Sequence, residues 1–128
     1  MKKLIIDVAK DKIFLMVINT NTIYNITHEN SKTNYERLST LINEFLDSQN
    51  LKIDDISKLY VNCGPGSFAG IRNSLSIAKA IYVAKKIDYY CFSFEDFNGI
   101  DDKKYENIPK LCDKLNIKKN LINPIYIS

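Results

Sequence analysis

Hydrophobic and polar positions along the chain follow two different periods. Five short segments are apolar throughout or alternate between apolar and polar residues, as β-strands do; they are Leu4–Val8, Ile13–Ile18, Ile23–Thr27, Lys58–Cys63 and Ile87–Phe94. Only short polar turns separate the first three segments. Because strands joined by such short turns can pair only in antiparallel fashion, the N-terminal third is predicted to be a three-stranded meander.

Three other segments carry apolar residues at helical spacing. The first runs from about Asn34 to Gln49, and the second begins after Ser67. The stripe of the second helix comprises Phe68, Ile71, Leu75, Ala78 and Tyr82. A third, short helix is predicted with Asn107 as its cap and Pro109 in its first turn. The order βββαβαβα, with an extended tail, predicts one α/β domain over residues 1–128: a mixed sheet covered by helices, as in a ribonuclease H-like or actin-like ATPase lobe.

Composition and charge narrow the function classes. The 128 residues suffice to bury a core, and the net charge of +3 comes from lysines scattered over several segments. This scatter favours a solvated surface over a dedicated nucleic-acid face. Cys63, Cys91 and Cys112 form no CxxC pattern and His28 is the single histidine, so neither a zinc site nor a disulfide framework is expected. No apolar stretch approaches a membrane span, and we expect a cytoplasmic protein.

A glycine-rich turn, Gly64–Gly70, joins the fourth predicted strand to the second helix. Such a turn presents backbone N–H groups and the positive end of a helix dipole, which together can cradle an anion, and Ser67 is placed to cap the helix. The spacing G-x-G-x-x-x-G nevertheless fits neither the P-loop nor the dinucleotide fingerprint. The other interpretation is a tight turn whose glycines let the backbone pass close to a neighbouring segment. Both interpretations stay open at this point.

The second helix also carries a second face of small residues, namely Ala69, Asn73, Ser76, Ala80 and Ala84. Small side chains let another helix approach closely. This face either packs on the first helix of the same domain or forms an interface with another subunit.

Taken together, Gly64-Pro65-Gly66-Ser67-Phe68-Ala69-Gly70-Ile71-Arg72 and the following Ser76–Ile81 resemble the signature of the TsaB (YeaZ) family, GPGSFTGLR followed by a helix with an Ala-Lys pair. Shorter segments agree with the same family. They are Glu36-Arg37-Leu38, Phe92-Ser93-Phe94-Glu95 and Pro124-Ile125-Tyr126-Ile127. The resemblance covers most of Leu4–Phe97 and the last few residues.

The resemblance implies a non-catalytic subunit in the synthesis of N6-threonylcarbamoyladenosine at adenosine 37 of tRNA. Such a subunit pairs with TsaD through first-lobe helices, works with the ATPase TsaE and contacts tRNA only indirectly. The motif residues are then Gly64, Pro65, Gly66, Ser67, Phe68, Gly70 and Arg72. The interface residues are Ala69, Arg72, Asn73, Ser76, Lys79 and Ala80. Catalytic and metal-binding residues are not expected, nor is a cofactor bound by the chain alone, although ATP or ADP can act in the complex.

Two departures from the family pattern shape this expectation. Residues 98–123 are too few for the family's second lobe and are predicted to be a short replacement for it. The first strand ends Asp7-Val8-Ala9 where the family has Asp-Thr-Ser, and Asp7 is predicted to be an ordinary strand-end carboxylate. The alternatives are a standalone protein that binds or hydrolyses nucleotide with the Gly64–Gly70 turn, and a chain that only self-associates as a homodimer.

Overall fold

A five-stranded mixed sheet forms the centre of the computed structural model, which describes residues 1–98, 104–122 and 126–127. Its strands are β1 (Lys2–Asp7), β2 (Lys12–Asn19), β3 (Thr22–Glu29), β4 (Lys58–Asn62) and β6 (Asp88–Phe92). They lie in the order β3-β2-β1-β4-β6, with β1, β2 and β3 antiparallel and β1, β4 and β6 parallel. The predicted meander, the mixed sheet and the α/β class are confirmed.

One face of the sheet is aliphatic and packs against regular helices. These are α2 (Leu38–Ser48) and α3 (Phe68–Lys85), and α1 (Lys32–Glu36) precedes them. Every second residue of the inner strands enters this core, as Leu4 and Ile6 do from β1, and Val8 follows in the same alternation just after the strand. From α2 come Leu38, Leu41, Ile42, Phe45 and Leu46, and from α3 come Ile71, Leu75 and Ala78. The alternation along the strands thus meets the helical stripe that the sequence predicts.

The other face is rich in aromatic rings and is covered by short, irregular elements. Its covering consists of single 3₁₀ turns at Phe94–Phe97 and Tyr105–Asn107, followed by α4 (Ile108–Lys114). Its core residues are Ile5, Met16, Tyr60, Phe92, Phe97, Ile108, Leu111 and Cys112. The part of residues 98–123 that the structure describes therefore contributes α4 to the second core of the same domain.

Three local predictions about the helices need correction. The helix predicted from about Asn34 to Gln49 is two helices, because Arg37 leaves helical geometry (φ −100°, ψ 14°) between α1 and α2. At both ends of the α3 stripe, Phe68 and Tyr82 are exposed, while Ser74 is buried and donates to the Ile71 carbonyl. Asn107 holds the N-cap position of α4 and Pro109 lies in the first turn, as predicted, but the Asn107 side chain makes no capping hydrogen bond.

The extended tail is confirmed for Tyr126–Ile127, which form β7 and pair in parallel with β5 (Gly66–Ser67) outside the main sheet. Pro124 of the motif resemblance lies outside the described residues. Within the parts of the chain that the structure describes, no helix is long and apolar enough to cross a membrane.

Candidate functional site: the glycine turn and the outer face of α3

The glycine turn begins in a conformation that only glycine adopts freely. Gly64 has φ 113°, and its N–H donates to the side-chain Oδ1 of buried Asn62 at 2.9 Å. The peptide bond between Gly64 and Pro65 is cis. Because Asn62 ends β4, the turn is tied to the carboxyl end of the central parallel strands.

Two further glycines of the turn lie against the backbone that follows β1. A Cβ atom on Gly66 would stand 2.1 Å from the Ala9 carbonyl oxygen, and one on Gly70 would stand 1.9 Å from that of Val8. The Ser67 N–H donates to the Ala9 oxygen at 2.9 Å in the same place. The arrangement supports the interpretation in which glycines allow close passage of two backbone segments.

Ser67 caps α3 as predicted. Its Oγ accepts from the Gly70 N–H at 3.3 Å, and the Tyr35 hydroxyl lies 3.5 Å from the same oxygen. An anion at this helix end would have to accept hydrogen bonds from free backbone N–H groups. Those of Ser67 and Gly70 already donate to acceptors within the protein. These internal bonds weigh against a phosphate cradle in the turn.

The predicted interface residues line the outer side of α3. Ala69, Arg72, Ser76, Lys79 and Ala80 are exposed, and Asn73 is half-buried. The Arg72 guanidinium carbon lies 5.8 Å from the centroid of the exposed Phe68 ring. The helix therefore displays these side chains together on one surface.

Shallow grooves flank this surface on both sides. One groove between α2 and α3 has a volume of about 220 Å³ and is lined by Ser39, Ile42, Asn43, Ile53, Ile77, Ala80 and Ile81. A second, of about 180 Å³, is lined by Arg72, Leu75, Ser76, Lys79 and Ile122. Because both include residues of α3, the outer face of this helix forms a ridge between two partly apolar depressions.

Val83 also belongs to this surface, although it is not among the predicted interface residues. Val83 is 67% exposed and follows Ser76, Lys79 and Ala80 at helical spacing. That spacing was the signal that could have found it, but an isolated apolar residue near a helix end is common on surfaces. The outer face of α3 is accordingly more apolar than the predicted residues alone suggest.

Asp7 is buried at the end of β1 and both of its carboxylate oxygens are bonded. The Ala9 N–H donates to Oδ1 at 3.1 Å, and the Tyr105 hydroxyl donates to Oδ2. Tyr105 also stacks on Phe14, with ring centroids 4.1 Å apart. Burial, and then the Asp7 charge, raise the pKa of Tyr105 far above its usual value, so its hydroxyl stays a donor. The side chain of Tyr105 thus covers the carboxylate.

A pocket of about 250 Å³ lies beside the glycine turn, and sequence reasoning did not predict it. Its lining residues are Lys10, Asn62, Gly64, Pro65, Phe94, Glu95 and Asn98. The Lys10 ammonium lies 4.4 Å from the centroid of Phe94.

Among the described residues, no group of three or more histidine, cysteine, aspartate or glutamate side chains is arranged to hold a metal ion.

Comparison with known proteins identifies the family. A sequence model described as TsaD, tRNA N6-adenosine threonylcarbamoyltransferase, matches residues 21–93, which is more than half of the chain. A curated relative, the tRNA threonylcarbamoyladenosine biosynthesis protein TsaB of Buchnera aphidicola subsp. Schizaphis graminum (strain Sg), is 27% identical over 90 residues. The chain belongs to the TsaB (YeaZ) family. The resemblance drawn from the glycine turn is confirmed.

The match to TsaB covers 70% of this chain but only 43% of the curated relative, so the chain spans less than half of that protein's length. Solved structures agree on the fold. YeaZ from Pseudomonas aeruginosa superposes with a TM-score of 0.67 at 15% identity, over 72% of this chain and 43% of that one. RuvC from Thermus thermophilus, solved with a Holliday junction substrate, superposes with a TM-score of 0.53 at 11% identity, over 98% of this chain and 85% of the RuvC chain. The ribonuclease H-like lobe is confirmed.

Proposed function

We propose that this TsaB-family chain is a non-catalytic subunit for the synthesis of N6-threonylcarbamoyladenosine in tRNA, and that it acts by pairing with a TsaD-type catalytic subunit. The observation that carries the proposal is the outer face of α3, where small and apolar side chains are exposed between two grooves. The name of the curated relative supports the pathway.

The shape of this surface suits a partner helix. Ser76 and Ala80 lie one helical turn apart on the ridge and expose little side-chain volume, so a facing helix can approach at short interaxial distance. Ala80 also lines the groove against α2, where the partly buried Ile77 and Ile81 supply apolar area to bury. Arg72 and Lys79 border the second groove and offer charge to the rim of the interface.

The chemistry would take place on the partner. In this chain the strand-end carboxylate of Asp7 is buried beneath Tyr105. We also propose that residues 98–123 replace the second lobe of the family. We assign the use of ATP or ADP to the complex with a TsaE-type ATPase. tRNA contact is assigned to the partner, since the charge of +3 on this chain is modest.

The test is co-expression with the TsaD-type subunit of the same organism, followed by measurement of the dissociation constant. Ser76→Arg and Ala80→Arg should each weaken the complex by about tenfold or more, because a long charged side chain would hold the two helices apart. Ser57→Arg, on an exposed turn before β4, is the matched control and should leave affinity unchanged. A complex that tolerates both helix substitutions would remove this surface from consideration.

The alternative, a standalone nucleotide-binding protein, has one observation in its favour: the pocket at the carboxyl ends of the parallel strands, with Lys10 at its rim. Calorimetric titration with ATP and ADP measures the nucleotide affinity of the isolated chain and of its Lys10→Ala variant. This affinity separates the two functions. Gly66→Val is unsuitable for this purpose, since its Cβ atom would overlap the Ala9 carbonyl.

A further inference from the structure

The outermost strand of the sheet, β3, has a long free edge. It pairs with β2 on one side, and no strand of the described residues pairs with its other side. Its eight residues contain no proline and no lysine, the usual devices that protect an edge from pairing with another chain. Two large apolar side chains are exposed on it, Ile23 at 41% and Tyr24 at 43%.

The hairpin register shows which backbone groups point outward. The turn Thr20-Asn21 has two residues and Asn19 pairs with Thr22, so this closing pair is a hydrogen-bonded one. Hydrogen-bonded and non-hydrogen-bonded pairs then alternate along the hairpin. Tyr24 and Ile26 turn their N–H and C=O groups towards β2, whereas those of Ile23, Asn25 and Thr27 point to the free edge.

We propose that β3 pairs antiparallel with β3 of a second copy of this chain, about a two-fold axis at Asn25. Ile23 then faces Thr27 of the second copy, Asn25 faces its own equivalent, and the outward groups of these three residues are satisfied reciprocally. The two five-stranded sheets become one continuous sheet of ten strands. The proposal rests on the sheet edge alone and is independent of the function assigned to α3.

The strand is self-complementary in this register, which is why we assign a second copy as its occupant. Tyr24 of each copy lies opposite Ile26 of the other, which gives two such pairs. An aromatic residue opposite a β-branched residue is a favourable cross-strand pair. The strand's acidic residue, Glu29, falls beyond its paired core, so no like charges face each other across the axis. Pairing also covers the exposed Ile23 and Tyr24 side chains, which lie on opposite faces of the strand.

The first experiment measures dimerisation by sedimentation equilibrium, with Ala80→Arg in every protein to suppress contacts through α3. The parent protein should dimerise. Ile23→Lys or Thr27→Glu alone should weaken the dimer by about tenfold, because each places a charge opposite an uncharged residue. The double variant Ile23→Lys/Thr27→Glu should regain most of the affinity, because each introduced ammonium then faces an introduced carboxylate across the axis.

The second experiment tests the register directly. With Asn25→Cys, the two introduced thiols meet at the axis, where hydrogen-bonded partners have Cα atoms about 5.5 Å apart, within disulfide range. Mild oxidation should give a covalent dimer, whereas the matched control Asn21→Cys, outside the paired core, should not. Circular dichroism checks that each variant is folded. A parent that stays monomeric at all concentrations, or a dimer unaffected by the charge variants, would overturn the proposal.

Discussion

The two faces of the central sheet are built in different ways. The first face is aliphatic and is covered by α2 and α3, helices of 11 and 18 residues. The second is aromatic and is covered by two 3₁₀ turns and the seven-residue α4. On the first face, apolar side chains that recur at helical spacing along α2 and α3 are buried against the sheet. On the second face, the irregular covering depends on contacts between individual aromatic rings.

Those ring contacts form a connected set. Phe92 stacks with Phe97 at a centroid distance of 6.2 Å, and Phe94 meets both Phe97 and Tyr105 edge-on, at 6.1 and 5.5 Å. Aromatic pairs in such geometries contribute about 0.5–1.5 kcal/mol each beyond the area that they bury. The second face can therefore be held by a segment with little regular structure, because a few large side chains supply its packing.

The largest expected effect concerns the first face, at the point where α3 meets the end of β1. Gly70→Val should raise the free energy of the folded state by more than about 5 kcal/mol, enough to prevent folding, because its Cβ atom would stand 1.9 Å from the Val8 carbonyl oxygen. The measurement is denaturant unfolding followed by circular dichroism. Ala69→Val, on the exposed neighbouring position, is the control and should fold normally. A stable Gly70→Val protein would show that α3 can shift on the sheet.

The next effect concerns the second face. Phe97→Ala should destabilise the fold by about 3–5 kcal/mol, since Phe97 is fully buried and its removal leaves a cavity among the rings. Urea unfolding provides the measurement, and Phe68→Ala, at a half-exposed ring, is the control with a much smaller expected loss. If Phe97→Ala were as mild as the control, the covering of the second face would contribute little to global stability.

The two faces also differ in how far they could be predicted from the sequence. The strands and the α3 stripe of Ile71, Leu75 and Ala78 follow from periodicity, because these residues repeat at regular intervals. The break at Arg37 did not follow, since the apolar stripe begins only at Leu38 and α1 has no buried residue, so apolar spacing carries no information there. At the candidate site, the positions on α3 could be placed on one exposed surface from their spacing.

Contacts between distant segments could not be predicted in this way. Tyr105 reaches Asp7 across 98 positions of sequence, and nothing near either residue indicates the other. The pocket at Lys10 likewise arises from three segments that are far apart in the sequence. The close passage of Gly66 and Gly70 beside Val8 and Ala9 was one of two open interpretations, and only the three-dimensional approach of the chains decides for it.

The smallest of the three expected effects concerns the hydrogen bond from Tyr105 to Asp7, which links the second face to the end of β1. Tyr105→Phe should cost about 1.5–3 kcal/mol at neutral pH, because it removes a hydrogen bond to the buried Asp7 carboxylate while keeping the ring on Phe14. The measurement is urea unfolding at several pH values, with Tyr82→Phe on the exposed side of α3 as the control.

The pH dependence of this difference has a definite sign. The pKa of Tyr105 is raised in the folded protein, first by burial and then by the Asp7 charge, so the folded state keeps a proton that an unfolded tyrosine loses near pH 10. Its contribution to stability is therefore complete below about pH 10 and declines as the pH rises further. The stability gap between the parent protein and Tyr105→Phe should narrow above that pH. A gap that stays constant there would mean that the Tyr105 hydroxyl is not held against Asp7, and that ring packing alone holds the second face to the end of β1.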